Sequence, residues 1–470
     1  WNGVHMRHMH QFPDGVDPYV IPGDPSSGLL WGISEGQLAA KGSGDNLIQA
    51  YNYRICLTNN PDNRLPIEKP ENYDPSKYEL LVRLFEAQKD MRDINQYFIW
   101  SLAPNHKTDI NNRGGFSTDM IGMNYGYPEG TYEERQQIIE AHKDYTLGLL
   151  WFIGNDERVP AQLREQMLAL GLPKDEYVEY GHWTPQLYIR EARRMVGEYV
   201  TTQANCDNVT SVEDGVGMAA YTMDSHNCQR IVIEKNGLAM VKNEGNVERS
   251  VGGPFPISYR SITPRRDECT NLLVPAALSA SHIAYGSIRM EPVFMVLGQA
   301  CGIAASIAQA KIQEVDAADI REIMQTDPYM DGTPADIIID DADPRMTCSE
   351  GWKQTRHKGS YGPTYFHLDK TVADAFVEYD LPDTLSGQWD IYCYQMLRDV
   401  ANPKAYYKVS TPSRQSEVTY DRAELRLVGQ VSGEWFHLGT YDLTGGGKVR
   451  MTSDKSDLPL RADALLLVKR

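Results

Sequence analysis

The spacing of apolar residues changes character several times along the chain. Between Asp74 and Tyr97, in DPSKYELLVRLFEAQKDMRDINQY, apolar positions recur at helical intervals, and Asp74 and Pro75 stand where a cap and a first turn belong. Helical spacing returns over Tyr132–Asn155 and Pro160–Gly171, and briefly over Ala317–Gln325. Short alternating runs such as NLIQAYNYRICLTN read as strands, and in RIVIEKNGLAMV the pair Asn236-Gly237 marks a hairpin turn. The polar stretch NHKTDINNRGGFSTDMIGMNYGYPEG reads as a long loop, of a length usually tied to function or disorder.

Past the last helical run the pattern becomes that of strands. TDPYMDGTPAD reads as a linker, placed at 326–335, and seven short β-type runs follow: AFVEYDL, WDIYCYQML, AYYKVS, AELRLVG, WFHLGTYDL, KVRMT and ALLLVKR. Turn signals separate them and no helical run of useful length interrupts. A mixed first region at 1–325 and a separate antiparallel β-sandwich at 336–470 are therefore expected.

Between them, residues 281–310 read SHIAYGSIRMEPVFMVLGQACGIAASIAQA. A turn bearing His282, Tyr285, Arg289 and Glu291 leads into a helix in which Pro292 suits the first turn. Gly298, Gly302 and Ala305 recur at helical spacing and form a ridge without side chains. Such a ridge admits a sheet, another helix or a planar ligand at close range, and close helix-to-sheet packing explains it as well as a ligand does. The helix N-terminus favours partial negative charge.

Length and composition narrow the classes. At 470 residues the chain is too long for one ordinary core, and 41% hydrophobic residues with 26 prolines and 38 glycines describe a folded, loop-rich protein. A net charge of −18 repels nucleic-acid phosphates and anionic membrane surfaces, so neither is an expected partner. No apolar run reaches membrane-spanning length, Val293 to Ala308 being broken by Gly298, Gln299, Gly302 and Ser306. Seven cysteines without a CxxC pair exclude a disulfide framework and a thiolate zinc site, leaving a single Cys206–Cys228 bridge open. The chain opens on WNGVHMRHMH, with neither an initiator methionine nor a signal-type apolar run, so an upstream start is expected. That end does not disclose the compartment; a periplasmic or secreted location is expected ahead of a cytoplasmic one.

Candidate chemistry is scattered. Gly215-Val216-Gly217-Met218-Ala219-Ala220 is a near match to a dinucleotide fingerprint, but acidic SVED precedes it and strand-like sequence follows, where a buried strand and a helix are needed. His226, in Asp224-Ser225-His226, could accept a proton as hydride leaves a substrate carbon, and Arg230, Arg193 and Arg194 could hold carboxylates or oxyanions; each is as readily structural. His5, His8 and His10 suggest a metal, yet no acid or thiol stands beside them at helical spacing, so an ordered loop is expected and no metal. In NNRGGFSTD, Gly114-Gly115 permits close backbone approach, and Arg113 either serves a substrate pocket or pairs with Asp109 or Asp119.

Together, DINNRGGFSTDMIG, LYIREARRMVGEYV, YTMDSHNCQR, PISYRSITP and LSASHIAYGSIRMEPVFMVLGQACGIAA resemble the FAD-dependent oxidoreductase family often found in polysaccharide-degrading bacteria, in consistent order across residues 17–325. Members begin with a strand, a GxGxxG loop and a helix that hold the FAD diphosphate, followed by a second acidic-glycine motif. This chain shows neither, so it resembles the substrate or cap region plus the last helix that returns to the FAD domain, with the N-terminal FAD-binding half as an expected missing partner. The resemblance implies FAD as cofactor, with Glu291, Gly298, Gln299 and Gly302 near the flavin. It also implies that His226, His282 and Arg289 face the pocket, with His226 or His282 as base and Arg289, Arg193 or Arg113 as anchors.

Trp352, GSYGPTYFH, AFVEYDLP, GQWDIYCY, WFHLGTYDLTGGGKVRMT and RADALLLV resemble the golvesin C-terminal module also appended to enzymes called xanthan lyases, a carbohydrate-binding-like β-sandwich. Trp352, Trp389 and Trp435 can stack on sugar faces or fill a core. The resulting expectation is an α+β substrate/cap region of a flavoprotein followed by an all-β, jelly-roll-like sandwich. The implied activity is hydride transfer to flavin from a carbohydrate-related or other small polar substrate, with a glycan as a partner of the sandwich. The rival is a carbohydrate-binding or polysaccharide-lyase protein without flavin chemistry, although the first region lacks the repeated helical hairpins of a lyase toroid.

Overall fold

Thr131 and Glu134 exchange side-chain and backbone hydrogen bonds as a capping box, and this launches the longest helix of the chain at the position its apolar spacing predicts. The computed structural model describes residues 3, 9–357, 359–370, 372–396, 402–424 and 433–470 and divides into two units, Trp1–Arg321 and Glu322–Arg470. Its helices are α1 (Glu79–Ala87), α2 (Tyr132–Asn155), α3 (Ala161–Leu168), α4 (Gln203–Cys206), α5 (His282–Ile288), α6 (Glu291–Ile307) and α7 (Ala317–Thr326). Residues 327–336 carry neither helix nor strand.

The helix expected over Asp74–Tyr97 is shorter than its pattern suggested. Asp74 caps a single 3-10 turn, Pro75–Tyr78, α1 follows, and the chain leaves the helix after Ala87. Gln88 to Asp93 is polar apart from Met91 and has little apolar surface to bury, and Asp93 opens a separate short turn at Ile94–Gln96. Strand structure in the NLIQAYNYRICLTN run is confined to Ile55–Thr58, which pairs with Lys107–Asn112, itself paired with Phe98–Ala103. Tyr51, Tyr53, Tyr78, Phe116, Tyr145 and Phe152 are fully buried and form an aromatic centre between this sheet and α1 and α2.

The hairpin forms as expected: Gln229–Lys235 pairs with Leu238–Glu244, and Asn236 and Gly237 both take positive φ, 56° and 74°. The near-fingerprint at Gly215 is a strand, Gly215–Ala219, paired with Phe255–Ser258. Its glycine serves packing, because a Cβ on Gly217 would come within 3.0 Å of Leu297 on α6. The stretch expected as a turn before the small-faced helix is itself the two-turn helix α5, and α5 and α6 meet at a bend of 89°. Among the described residues no single helix is long and apolar enough to cross a membrane. Cys206 and Cys228 are both buried free thiols, so the bridge left open by the sequence is not formed.

The second unit is all β. One sheet orders Met346–Cys348, Phe376–Leu381, Gly447–Asp457, Lys404–Ser410 and Gln415–Asp421; another orders Ile337–Ile339, Leu465–Lys469, Gln388–Met396 and Gly433–Asp442. Their inward residues share one core, with Val377, Tyr379, Tyr407 and Met451 from the first and Trp389, Ile391, Leu438 and Leu467 from the second. Trp352 and Trp389 belong to that core and are unavailable to a glycan, whereas Trp435 lies half-buried outside it. The AELRLVG run lies largely outside the described residues, as do His5 and His8.

Two glycines of the α5–α6 region should respond oppositely to alanine. A Cβ on Gly286 would come within 2.6 Å of the Asp224 carbonyl oxygen, so Gly286→Ala is expected to cost about 1–3 kcal/mol in urea denaturation. A Cβ on Gly298 meets nothing within 4 Å, so Gly298→Ala is expected to stabilise by up to about 1 kcal/mol.

Candidate functional site

Asp224, Ser225 and His226 lie at the end of the short strand Met223–Ser225, which pairs with Val247–Arg249. Ser281 caps α5, and Gly286 lets the helix backbone rest directly on Asp224. That close approach brings both ends of α5 to the strand. His282 Nε2 lies 3.0 Å from Ser225 Oγ, and Arg289 Nη2 lies 3.1 Å from Asp224 Oδ2.

Two further segments complete the cluster. Asp119, from the long loop, places Oδ2 2.8 Å from His226 Nδ1 and Oδ1 2.9 Å from Arg190 Nη2. Glu191 places Oε2 2.8 Å from His282 Nδ1 and 3.0 Å from Arg194 Nη1. Gln49 joins the two halves, its N–H donating to Glu191 Oε1 (3.0 Å) and its Oε1 accepting from the His226 N–H (3.1 Å). Tyr188 lies beneath the Arg190 guanidinium at 5.4 Å, and its hydroxyl accepts from Arg289 at 3.5 Å.

The electrostatics follow from this burial. Burial by itself would raise the Asp119 carboxyl, but Arg190 and His226 outweigh it and hold it at about 2. His226 is pushed below its ordinary value by burial and then by Arg190, against the pull of Asp119. It is therefore neutral near pH 7, with its proton on Nδ1 donated to Asp119 and a lone pair on Nε2. The nearest carboxylate to that nitrogen, Asp224 Oδ2, is 3.8 Å away, beyond hydrogen-bonding range. Glu191 is likewise held below its ordinary range: burial opposes this, and His282 overcomes it. His282 Nδ1 faces Glu191 and its Nε2 faces the Ser225 hydroxyl, so both of its nitrogens are engaged.

The structure thus brings His226, His282 and Arg289 together but on two sides of one cluster. His282 and Glu191 line a cleft of about 360 Å³ with Arg194, Cys228 and Glu244, which His226 does not reach. Arg193 stands apart: its side chain is 64% exposed and 3.8 Å from Glu129. Arg113 donates to the Asn95 carbonyl (3.1 Å) and pairs with neither acid expected for it, because Arg54 takes Asp109 and Arg190 takes Asp119. Gly115 receives the Phe12 ring, so the Gly-Gly pair serves internal packing. Sequence reasoning gave no site role to Asp119, Arg190, Glu191 or Ser225, naming Asp119 only as an ion-pair partner for Arg113. All four lie inside the motifs quoted above, and the signal was the charge density of LYIREARR beside a buried loop aspartate.

Glu291 opens α6 and is exposed, followed by Gln299 and Gly302 on the same outward side. A Cβ on Gly302, as on Gly298, meets nothing within 4 Å, and Met295 nearby is 73% exposed. Close packing therefore does not explain the ridge: α6 packs on Gly215–Ala219 with its opposite face, through Leu297. This is an uncovered, small-residue surface with room for a planar group, and it fits one face of a flavin. No glycine loop between a strand and a helix, of the kind that holds a dinucleotide diphosphate, occurs among the described residues.

The family model for FAD dependent oxidoreductase matches residues 6–326. The chain belongs to the FAD dependent oxidoreductase family. The golvesin C-terminal domain model matches residues 337–469, the carbohydrate-binding-like sandwich. Curated protein sequences give no match. Among solved structures, a Paenibacillus xanthan lyase is 15% identical over 55% of this chain and 20% of its own, with a TM-score of 0.25, so the chain spans a fifth of its length. A family 35 carbohydrate-binding module from Cellvibrio japonicus is 16% identical over 29% of this chain and 94% of its own, with a TM-score of 0.22. One from Clostridium thermocellum is 18% identical over 29% and 99%, with a TM-score of 0.23.

Asp119 links the cluster to acid stability. Its carboxyl falls from an ordinary 3.8 to about 2 on folding, so its contribution is complete above about pH 4 and is lost as the pH drops toward 2. Urea denaturation is expected to show the native protein losing about 2 kcal/mol more than Asp119→Asn across that window. At pH 7, Asp119→Asn itself should cost about 3 kcal/mol by stranding the buried Arg190, part of which Asp119→Asn/Arg190→Met restores.

Proposed function

We propose that residues 1–325 form the substrate side of a flavin-dependent oxidoreductase and that residues 336–470 hold a glycan. The first reading rests on the uncovered Gly298–Gly302 face of α6, which starts two residues after Arg289 of the charged cluster. Glu291, Gln299 and the Gly298–Gly302 face would hold the flavin ring system. A bound flavin supplies the acceptor for a hydride leaving a substrate carbon.

The protein's own groups supply the proton chemistry. His226 Nε2 accepts the proton of the substrate hydroxyl, and Asp119, at 2.8 Å from Nδ1, fixes the tautomer and stabilises the charge that develops on the ring. Arg289, held between Asp224 and Tyr188, anchors the substrate oxygen. His282 is the weaker choice as base, since Glu191 and Ser225 occupy both of its nitrogens. A small polyhydroxylated molecule suits a site of paired acids and arginines, and carbohydrate chemistry is consistent with the appended sandwich. A periplasmic or secreted setting accords with that substrate class.

Expressed from its complete reading frame, the protein is expected to purify with flavin, visible in its absorbance spectrum. Gly302→Leu should strip the flavin while leaving the Tm of the flavin-free protein unchanged or raised, because in that state the new side chain projects into open space. A colourless protein that fails to bind added FAD would sink the reading. His226→Gln is expected to lower kcat/KM by about 10²–10⁴-fold. The acid limb of the native pH profile should lie below 6.5, because His226 is shifted downward and stays a competent base at lower pH.

A further inference from the structure

In the second unit, Gln388–Met396 lies between Leu465–Lys469 and the edge strand Gly433–Asp442. Alternation sends Trp389, Ile391 and Cys393 into the core and leaves Tyr392 and Tyr394 on the outward face. The register sets His437 opposite Tyr392 and Trp435 opposite Tyr394. The paired rings touch, with centroids 4.8 Å apart for Tyr392 and His437 and 5.3 Å for Tyr394 and Trp435. Tyr361, 46% exposed, adds a third ring to the second pair, 5.3 Å from Trp435 and 5.8 Å from Tyr394.

These rings are fixed in place from below. Tyr394 lies directly over Gly433, where a Cβ would collide with its ring at 2.2 Å. The Tyr361 N–H donates to Asp463 (3.0 Å), a buried carboxyl. At the other end, Asp390 Oδ1 is 3.3 Å from His437 Nε2, and its Oδ2 is 2.7 Å from Arg470 Nε. From Asp390 to Tyr394 the strip runs roughly 13 Å along the strand, more than one sugar ring.

We propose that Tyr361, Tyr394 and Trp435, with Tyr392 and His437, form the glycan-binding strip of the sandwich and that its occupant is an uncharged pyranose chain. This rests on the glycan reading of residues 336–470 given above. A pyranose presents an apolar C–H face suited to an aromatic ring and hydroxyls at its rim, and this strip offers rings flanked by hydrogen-bonding side chains. Charge selects a neutral chain. Asp340 and Asp463 lie behind Tyr361, and among the described residues the arginine at the strip, Arg470, is already committed to Asp390, so a uronate would find no spare cation among these groups.

The test is calorimetric titration of the whole protein with cellohexaose, xylohexaose and mannohexaose, beside polygalacturonate and xanthan fragments. Binding to at least one neutral oligosaccharide is expected, weakened about tenfold or more by Tyr361→Ala and by Trp435→Ala, with Trp435→Phe close to native. Tyr361→Ala carries the result if Trp435→Ala fails to fold, because Tyr361 is exposed. Native binding that neither alanine variant weakens overturns this strip and leaves the glycan reading standing. Binding confined to the uronate-bearing chains overturns the proposed occupant. No binding to any of the panel overturns both the strip and the glycan reading.

Discussion

The first unit depends on an ion pair that water scarcely reaches. Asp119 and Arg190 are both about 1% exposed, and neither could be buried alone without a penalty of several kcal/mol. Their pairing ties the long loop to the irregular segment that also carries Tyr188 and Glu191. It also sets the state of His226, since an ionised Asp119 keeps the proton on Nδ1 and the Arg190 charge disfavours a second one. The tautomer on which the proposed role of His226 as a base depends thus follows from a stability requirement of the loop beneath it.

The parts of this architecture legible in the sequence are those set by local spacing. The Asn236-Gly237 hairpin, the capped α2 and six of the seven β-type runs follow from period, caps and turn residues acting within a few positions. The paired acids and bases were not legible in this way. Asp119 meets a histidine 107 residues later, and Glu191, in a segment with no helix or strand to give it a period, meets one 91 residues later. Charge run by itself pointed to Arg193, which is solvated, when its neighbours Arg190 and Glu191 are the buried residues, paired with Asp119 and His282. The end of α1 was missed for a related reason: good helix formers continue past Ala87, but there is little core for them to face.

The charged cluster of the first unit and the Asp340–Asp463 pair of the second bury carboxyl groups by different means. In the first, arginine or histidine accompanies each buried acid of the cluster and holds it ionised. In the second, Asp463 sits beside Asp340, and burial followed by that like charge raises it to about 7. The protonated form is the one its surroundings favour, so near neutrality the Asp340–Asp463 region carries less charge than its composition suggests. That is compatible with an uncharged ligand on the adjoining rings, whereas the first unit's fixed charges suit a reaction in which a proton and negative charge move.

Glycine meant different things at positions that look alike in sequence. Gly215-Val216-Gly217 had the outline of a phosphate loop, yet Gly217 exists so that Leu297 can approach the strand. Gly298 and Gly302 had the outline of helix packing, yet nothing approaches them. A missing Cβ is evidence only together with what lies opposite it. Opposite Gly217 and Gly286 there is protein, and those residues are explained by the fold. Opposite Gly298 and Gly302 there is open space along an otherwise apolar helix, a surface the fold leaves uncovered, in a chain whose family is defined by FAD.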